Sequence, residues 1–163
     1  MFCNLRFYNS DHPTCRSCIS QGANTCKPQK QKKVRKRYEA YQRGNVLVCT
    51  KDLRTPNDWT NKEYGKRIYR GEREAWKRLF RGAFFIWGKP TGRRRLTVTR
   101  YVPGKNHFMK DRTNIEGSMK PLEDALVNMG ILIDDKVEFL HREEPRQEVD
   151  KTFPRVEIEI EDM

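Results

Sequence analysis

Two segments in which side chains of opposite character alternate constrain the fold of this chain more than any other feature. In RRRLTVTRYV, residues 93–102, the two faces are formed by Leu96, Val98, Arg100 and Val102 on one side and by Thr97, Thr99 and Tyr101 on the other. In RVEIEIE, residues 155–161, Val156, Ile158 and Ile160 alternate with three glutamates. A period of two residues is typical of a β-strand with two dissimilar faces. We therefore predict two such strands, the second of them half-buried.

Two longer segments have the spacing of amphipathic helices. Asn57 to Thr60 has helix-start chemistry, and the segment after it has an apolar stripe surrounded by basic residues. That stripe consists of Tyr64, Ile68, Ala75, Trp76, Leu79 and Phe80. Trp76 and Phe80 are predicted to lie in the core rather than to stack on bases, because both belong to the stripe. The second helix has a stripe of Met119, Leu122, Leu126 and Met129, and is predicted to begin at Ser118 and to stop at Gly130.

Together these segments predict an α/β protein with one small mixed-sheet domain. NVLVC, residues 45–49, and KVEFL, residues 136–140, supply further short strands. With 163 residues the chain is long enough for one domain and too short for two ordinary ones. No apolar run approaches the ~18 residues of a membrane span. The start of the chain has no apolar region of a secretory signal, so we expect a cytoplasmic protein with no membrane partner.

The net charge of +12 is distributed unevenly along the chain. Residues 1–115 contain 28 Lys and Arg against 8 Asp and Glu, whereas residues 116–163 contain 6 against 14. A basic surface attracts a polyanion, and an acidic segment beside it repels one unless it holds metal ions or lies on another face. The pattern suits an enzyme that acts on phosphodiesters, although a solvated charged surface with no specific partner also accounts for it.

The first 37 residues differ from the rest and are interpreted as a basic, cysteine-containing arm. Cys15 and Cys18 have the C-x2-C spacing with which two thiolates share a zinc ion, and Cys3 and Cys26 would complete the set. The alternative is a reduced, poorly ordered arm that binds no metal. Residues 27–37 contain seven Lys or Arg, which indicates either a flexible linker or a segment that lies on nucleic-acid phosphates. Cys49, within an apolar run, is predicted to be core.

Acidic residues precede and follow the second helix. Asp111 lies before it, and Asp134 and Asp135 follow the apolar segment GILI, which we interpret as a buried approach to a strand edge. A strand-helix-strand unit can bring Asp111 and Asp135 together, and Lys120 and Asp124 share one side of the helix. Carboxylates suit Mg²⁺, which would lower the pKa of a water for attack on phosphorus. The other interpretation is that the two adjacent Asp residues form a solvated cap.

This region contains, in order, the motifs D-x-x-N, G-S-M-K-P-L-x-D-A-L-V and G-I-L-I-D-D, and the chain ends with the tail VDKTFPRVEIEIE. In these motifs the sequence resembles the phage branch of RusA-like Holliday junction resolvases, and the resemblance extends more weakly from about residue 45 to the end, 45–163. It implies a homodimer that resolves four-way DNA junctions and other branched DNA by magnesium-dependent paired incision, with Mn²⁺ as a substitute. It further implies the cytoplasm of a bacterial cell that is infected by phage or carries a prophage.

The resemblance assigns roles to single residues. Asp111, Lys120 and Asp135 match catalytic positions, and the metal would be held by Asp111, Asp124, Asp134 and Asp135. Thr113 stands where the family has a second Asp, beside the matching Asn114, and Glu116 or Asp124 would have to replace that carboxylate. The residues predicted to contact DNA are Lys66, Arg67, Arg70, Arg93, Arg94 and Arg95. Because of Thr113, a DNA-binding protein that keeps the fold without catalysis is the alternative.

Overall fold

The computed structural model describes residues 37–60 and 64–163, apart from the side chain of Phe84. These residues belong to a unit that runs from Arg37 to Met163. The unit has a six-stranded mixed sheet together with helices, which confirms the predicted mixed α/β class. In the described part of the chain, no helix has the length and apolarity needed to cross a membrane. The proposed zinc ligands Cys3, Cys15, Cys18 and Cys26 lie outside the described residues.

The sheet is built from six strands: β1 Ala40–Arg43, β2 Val46–Cys49, β3 Arg94–Val102, β4 Leu140–Arg142, β5 Arg146–Val149 and β6 Arg155–Asp162. Four of them lie in the order β1-β2-β6-β3 and are antiparallel to their neighbours. On the far side of β3, β4 pairs in parallel with its first half and β5 with its second half. Gly44, with φ of 61°, allows the tight turn between β1 and β2.

The alternation in β3 and β6 gives the sheet one apolar face and one polar face. Along β3, every second residue from Arg94 to Val102 is buried. Along β6, Val156, Ile158 and Ile160 enter the core. On the opposite face Glu157 accepts hydrogen bonds from Arg43 at 2.9 Å and Arg155 at 2.7 Å. The predicted strands over 93–102 and 155–161 are thus confirmed to within a residue or two.

Four described helices accompany the sheet: α1 Asn57–Thr60, α2 Gly65–Leu79, α3 Phe84–Trp87 and α4 Arg112–Asn128. Trp76, in the last turn of α2, and Phe80, directly after that helix, are almost fully buried and stack with ring centroids 5.8 Å apart, which confirms their place in the core. Tyr64 was predicted to share that stripe, but it precedes α2 and is 64% exposed. Cys49 is fully buried, as predicted, and burial raises the pKa of its thiol to about 12.

Helix α4 begins six residues earlier than its sequence predicts. The side chain of Asp111 caps it by accepting a hydrogen bond from the backbone N–H of Thr113 at 3.0 Å. We predicted a start at Ser118 because proline is best tolerated in the first turn, yet Pro121 lies inside the helix. The cap and the buried stripe offset the hydrogen bond that Pro121 cannot form. At the other end Gly130 adopts φ of 70° and ends the helix as predicted.

The segment after α4 is a loop whose first apolar residues are buried, in agreement with the interpretation of GILI as a buried approach, although it does not lead directly into a strand. Gly130 and Ile131 donate backbone hydrogen bonds to Val127 and Leu126, which reverses the chain at the helix end. Ile131 and Leu132 are then buried against the core, whereas Ile133 is 44% exposed. Of the strand predicted over KVEFL, only Leu140 is in β4. The apolar run therefore reflects burial of a loop that returns along α4.

A second loop, between β5 and β6, is fastened by one carboxylate. Asp150 accepts hydrogen bonds from the hydroxyl of Thr152 at 2.7 Å, from Arg155 at 2.5 Å and from the backbone N–H of Phe153 at 3.1 Å. These bonds, with that of Thr152 the strongest cause, hold the pKa of Asp150 well below its usual range. The loop consequently depends on this carboxylate being ionised.

Candidate catalytic cluster and basic depression

The loop that follows α4 brings two carboxylates to one lysine. The ammonium of Lys120 forms ion pairs with Asp135 and, at 3.2 Å, with Asp124. Lys120 and Asp124 lie four residues apart on α4, as predicted, and the returning loop adds Asp135. The side chains of the two aspartates are 24% and 28% exposed, so the cluster is accessible to a ligand. Two carboxylates and one ammonium leave a formal charge of −1.

Neighbouring groups fix the positions of these carboxylates. The hydroxyl of Tyr69, on α2, donates a hydrogen bond of 2.6 Å to Asp124. Burial and this hydrogen bond raise the pKa of Tyr69, so its hydroxyl keeps its proton and remains a donor at neutral pH. Arg142 donates to the backbone carbonyl of Asp135 at 2.6 Å while it binds the buried Glu123 with two hydrogen bonds. The loop is therefore tied both to the helix and to β4.

Asp134 belongs to the same loop, but its side chain contacts groups other than Lys120. Its side chain accepts a hydrogen bond of 2.7 Å from the backbone N–H of Asp135 and pairs with Lys136 at 3.1 Å. The first of these bonds is typical of a carboxylate that organises a turn. Asp134 thus supports the backbone next to Asp135, and the structure gives it no contact with Lys120 in the part of the chain that it describes.

Asp111 is not part of this cluster. It lies nine residues before Lys120, which corresponds to about 13 Å along the axis of α4. Its carboxylate accepts hydrogen bonds from the hydroxyl of Thr113 at 2.8 Å and, at 3.5 Å, from Asn114. Glu116, a possible replacement carboxylate, pairs instead with Arg112 at 2.8 Å. The predicted meeting of Asp111 with Asp135 is not observed, because the capping role places Asp111 at the far end of a longer helix.

The cluster suits a metal site with only one or two protein ligands better than a site enclosed by protein ligands. Among residues 37–60 and 64–163, no three Asp, Glu, His or Cys side chains gather into a group that could hold a metal ion. Asp124 and Asp135 nevertheless converge on a single cationic group. Mg²⁺ often takes only one or two carboxylates and fills its remaining positions with water and phosphate. The pair therefore suits a magnesium ion that is shared with a substrate, and not one enclosed by protein ligands.

A basic depression adjoins the cluster through Tyr69. It is open to solvent, and the residues that line it in the described part of the chain are Trp59, Thr60, Gly65, Lys66, Tyr69, Arg70 and Arg73. Three of these residues are cationic and none is acidic. Gly65 allows the close contact of α1 and α2 that forms it, since a Cβ there would lie 1.9 Å from the backbone oxygen of Trp59. Two of the residues predicted to contact DNA, Lys66 and Arg70, thus share a concave surface.

The other predicted DNA contacts are distributed differently. Arg67 and Arg93 are exposed. Arg95 is 42% exposed and forms ion pairs with Glu143 and Glu161 at 3.5 and 3.3 Å. The prediction for Arg94 is wrong, because its side chain is only 2% exposed and binds backbone carbonyls and Asp162. An arginine triplet at the start of a strand alternates between faces, so its middle member points into the core.

Sequence reasoning missed Tyr69 and Arg73 as parts of the site. Tyr69 lies seven residues before Trp76, a spacing that places both on one side of a helix and that would have added it to the apolar stripe. Nothing in the sequence shows that its hydroxyl reaches Asp124, 55 residues further on. Arg73 follows Lys66 by seven residues and Arg70 by three, so the helical repeat was the available signal for the cationic face.

Comparisons with known proteins add no family assignment. No protein-family model matches the chain, and no curated protein is significantly similar to it.

Proposed function

We propose that this protein is a RusA-like, metal-dependent endonuclease that resolves Holliday junctions and other branched DNA. The supporting observation is the Lys120, Asp124 and Asp135 cluster beside the basic depression of α2. It combines groups that suit a magnesium ion with groups that attract phosphates, on adjoining surfaces. The likeness of the GSMKPLEDALVNMGILIDD segment to the family supports the choice of branched DNA. The family likeness also supports a homodimer in the bacterial cytoplasm.

Each residue of the cluster would have a separate task. Asp124 and Asp135 would hold a magnesium ion, which when bound activates water and shields charge on phosphorus. The ammonium of Lys120 lies between the two carboxylates and reduces the electrostatic repulsion between them. When substrate binds, this ammonium can move to a non-bridging phosphate oxygen. Tyr69 donates its proton to Asp124 and so limits the orientations of that carboxylate. Arg142 holds the backbone at Asp135 in place.

A specific observation favours the second candidate, a DNA-binding protein without catalysis. Asp111 and Thr113, at positions where the family has two metal-binding aspartates, are engaged with each other in the helix cap. A cap of this kind uses the carboxylate oxygens that a metal would need. The basic surface does not depend on that cap, so binding would survive where hydrolysis does not.

A cleavage assay separates the two candidates. Purified protein is incubated with a synthetic four-way junction and Mg²⁺ or Mn²⁺, and products are resolved on a denaturing gel. The test variant is Asp135→Asn. The matched control is Glu138→Gln, which removes the same charge from the same loop at an exposed position. Paired cuts by the parent protein and by Glu138→Gln, with loss of cutting in Asp135→Asn, would support the nuclease.

Junction binding without cuts in either metal would instead support the binding protein, and would overturn the nuclease proposal. Sedimentation of the free protein tests the proposed homodimer, because paired incision requires two active sites on one junction.

We also propose that the arm of residues 1–37 binds zinc. Zinc content that is unchanged by Cys15→Ser would remove that proposal.

A further inference from the structure

The basic depression of α2 has an aromatic surface beside its positive charges, and the cleavage proposal uses only the charges. Lys66, Arg70 and Arg73 recur at three- and four-residue intervals, which places their cationic groups along one face of the helix. Trp59, from α1, lies beside them and meets Tyr69 edge-to-face with ring centroids 5.8 Å apart. Both rings are partly exposed. The depression thus offers an aromatic wall next to a row of positive charges.

The charges in this row are poorly compensated by the protein. Within the described residues, neither Lys66 nor Arg70 forms an ion pair, whereas most arginines of the sheet do. In the same part of the chain, Arg73 has one distant pair, with Glu74 at 3.9 Å, and its buried Nε has no hydrogen-bond partner there. A buried donor without a partner is costly, so the protein does not compensate Arg73 fully. The Arg73 side chain is 31% exposed, and its exposed part is available to a bound anion. The depression therefore has the chemistry of a phosphate site that the folded chain does not satisfy by itself.

We propose that this depression binds an unpaired strand of DNA, with its phosphates on Lys66, Arg70 and Arg73 and a base against Trp59. Paired bases are stacked within a duplex and present no free face, so an aromatic wall recognises unpaired nucleotides. A row of cations beside the wall follows the backbone of the same strand. Tyr69 connects this strand to the cluster, since its ring lines the depression and its hydroxyl reaches Asp124. The inference rests on the proposed function only in taking DNA as the polymer.

Binding in the depression can be measured by the fluorescence of Trp59. Of the three tryptophans, Trp76 and Trp87 are 1% and 7% exposed, so Trp59 is the one that a ligand can quench. The full-length protein is titrated with a short oligothymidylate in EDTA, and tryptophan fluorescence is followed together with the anisotropy of a labelled strand. An abasic strand of equal length carries the same phosphates without bases, and inorganic phosphate alone tests for a simple anion site.

We expect oligothymidylate to quench the fluorescence and to bind roughly tenfold more tightly than the abasic strand. Trp59→Leu should remove both the quenching and that tenfold preference. Arg70→Met and Arg73→Met should each weaken binding and lower the salt dependence, by about 0.7 in the slope of log K against log salt for each lost phosphate contact. The matched control is Arg78→Met, which removes the same charge from an exposed position of the same helix outside the depression.

The inference is overturned if Arg78→Met weakens binding as much as Arg70→Met and Arg73→Met, because the attraction would then be general. Equal affinity for the abasic strand, or binding of inorganic phosphate without binding of oligothymidylate, would also overturn it. Circular dichroism of each variant confirms that it folds. The two proposals fail separately, since strand binding is measured without metal and junction cleavage with it: loss of cleavage with intact oligothymidylate quenching contradicts only the nuclease.

Discussion

Arg94 is expected to stabilise the fold through its contacts with backbone carbonyls and not through its ion pair. Its guanidinium donates hydrogen bonds of 2.6 Å to the carbonyl oxygens of Trp87 and Ile131, and of 2.7 Å to the carboxylate of Asp162. Weaker bonds of 3.2 and 3.3 Å reach Lys89 and Gly88. One buried side chain thus joins the end of α3, the start of β3 and the loop that leads to Asp135.

The free energy of unfolding should fall by about 4 kcal/mol in Arg94→Met. The substitution keeps much of the side-chain length but leaves two buried carbonyls without donors, at about 1–3 kcal/mol each. Asp162 contributes little, because its side chain is 58% exposed and water can replace the guanidinium. Asp162→Asn should therefore cost no more than about 1 kcal/mol. The difference between the two variants, about 3 kcal/mol, is the quantity that the structure predicts.

Urea unfolding, followed by tryptophan fluorescence and by circular dichroism, measures both values at a common slope. Equal losses in Arg94→Met and Asp162→Asn would refute the reasoning, since they would show that the ion pair carries the stability. A loss below about 1 kcal/mol in Arg94→Met would show that the carbonyls find other donors. Arg94→Lys provides a further check, because one ammonium cannot replace the bonds to carbonyls on both segments, residues 87–89 and Ile131, and should recover only part of the loss.

Three further predictions concern other sites. Gly65→Ala should lower the free energy of unfolding and weaken the binding of single-stranded DNA, because its Cβ would lie 1.9 Å from a backbone oxygen. Gly71→Ala, with open space around it, should instead raise the free energy of unfolding by about 0.5–1 kcal/mol, as measured by urea unfolding. Cys49, with a buried thiol whose pKa is raised to about 12, should resist alkylation at mildly alkaline pH until urea unfolds the chain, as read from the mass of its peptide. The pKa of Asp150 is lowered in the folded protein, so its carboxylate stabilises the fold above the ordinary pKa of 3.8, and this stabilisation is lost as the pH falls below that value. In Asp150→Asn, the free energy of unfolding should therefore depend less on pH in this acid range. An unchanged pH dependence would contradict this.

The sequence alone determined the elements whose patterns arise from a single segment. The alternation in 93–102 and 155–161 specified β3 and β6, because a strand that is buried on one face must repeat every two residues. The stripe that includes Trp76 and Phe80 specified the core side of α2 for the corresponding reason. The pairing of Lys120 with Asp124 could also be predicted from the sequence, since side chains four residues apart lie next to each other on a helix.

Only the tertiary structure decided which distant residues meet. The start of α4 depended on whether Asp111 caps a helix or binds a metal, and one local sequence permits both. The apolar run after Gly130 indicated burial, but only the structure shows that its backbone forms a loop, because an apolar run does not specify backbone conformation. The contact of Tyr69 with Asp124, the inward direction of Arg94 and the return of Asp135 to Lys120 join segments far apart in the chain. Such contacts follow from how all the elements pack at once, and no segment contains that information by itself.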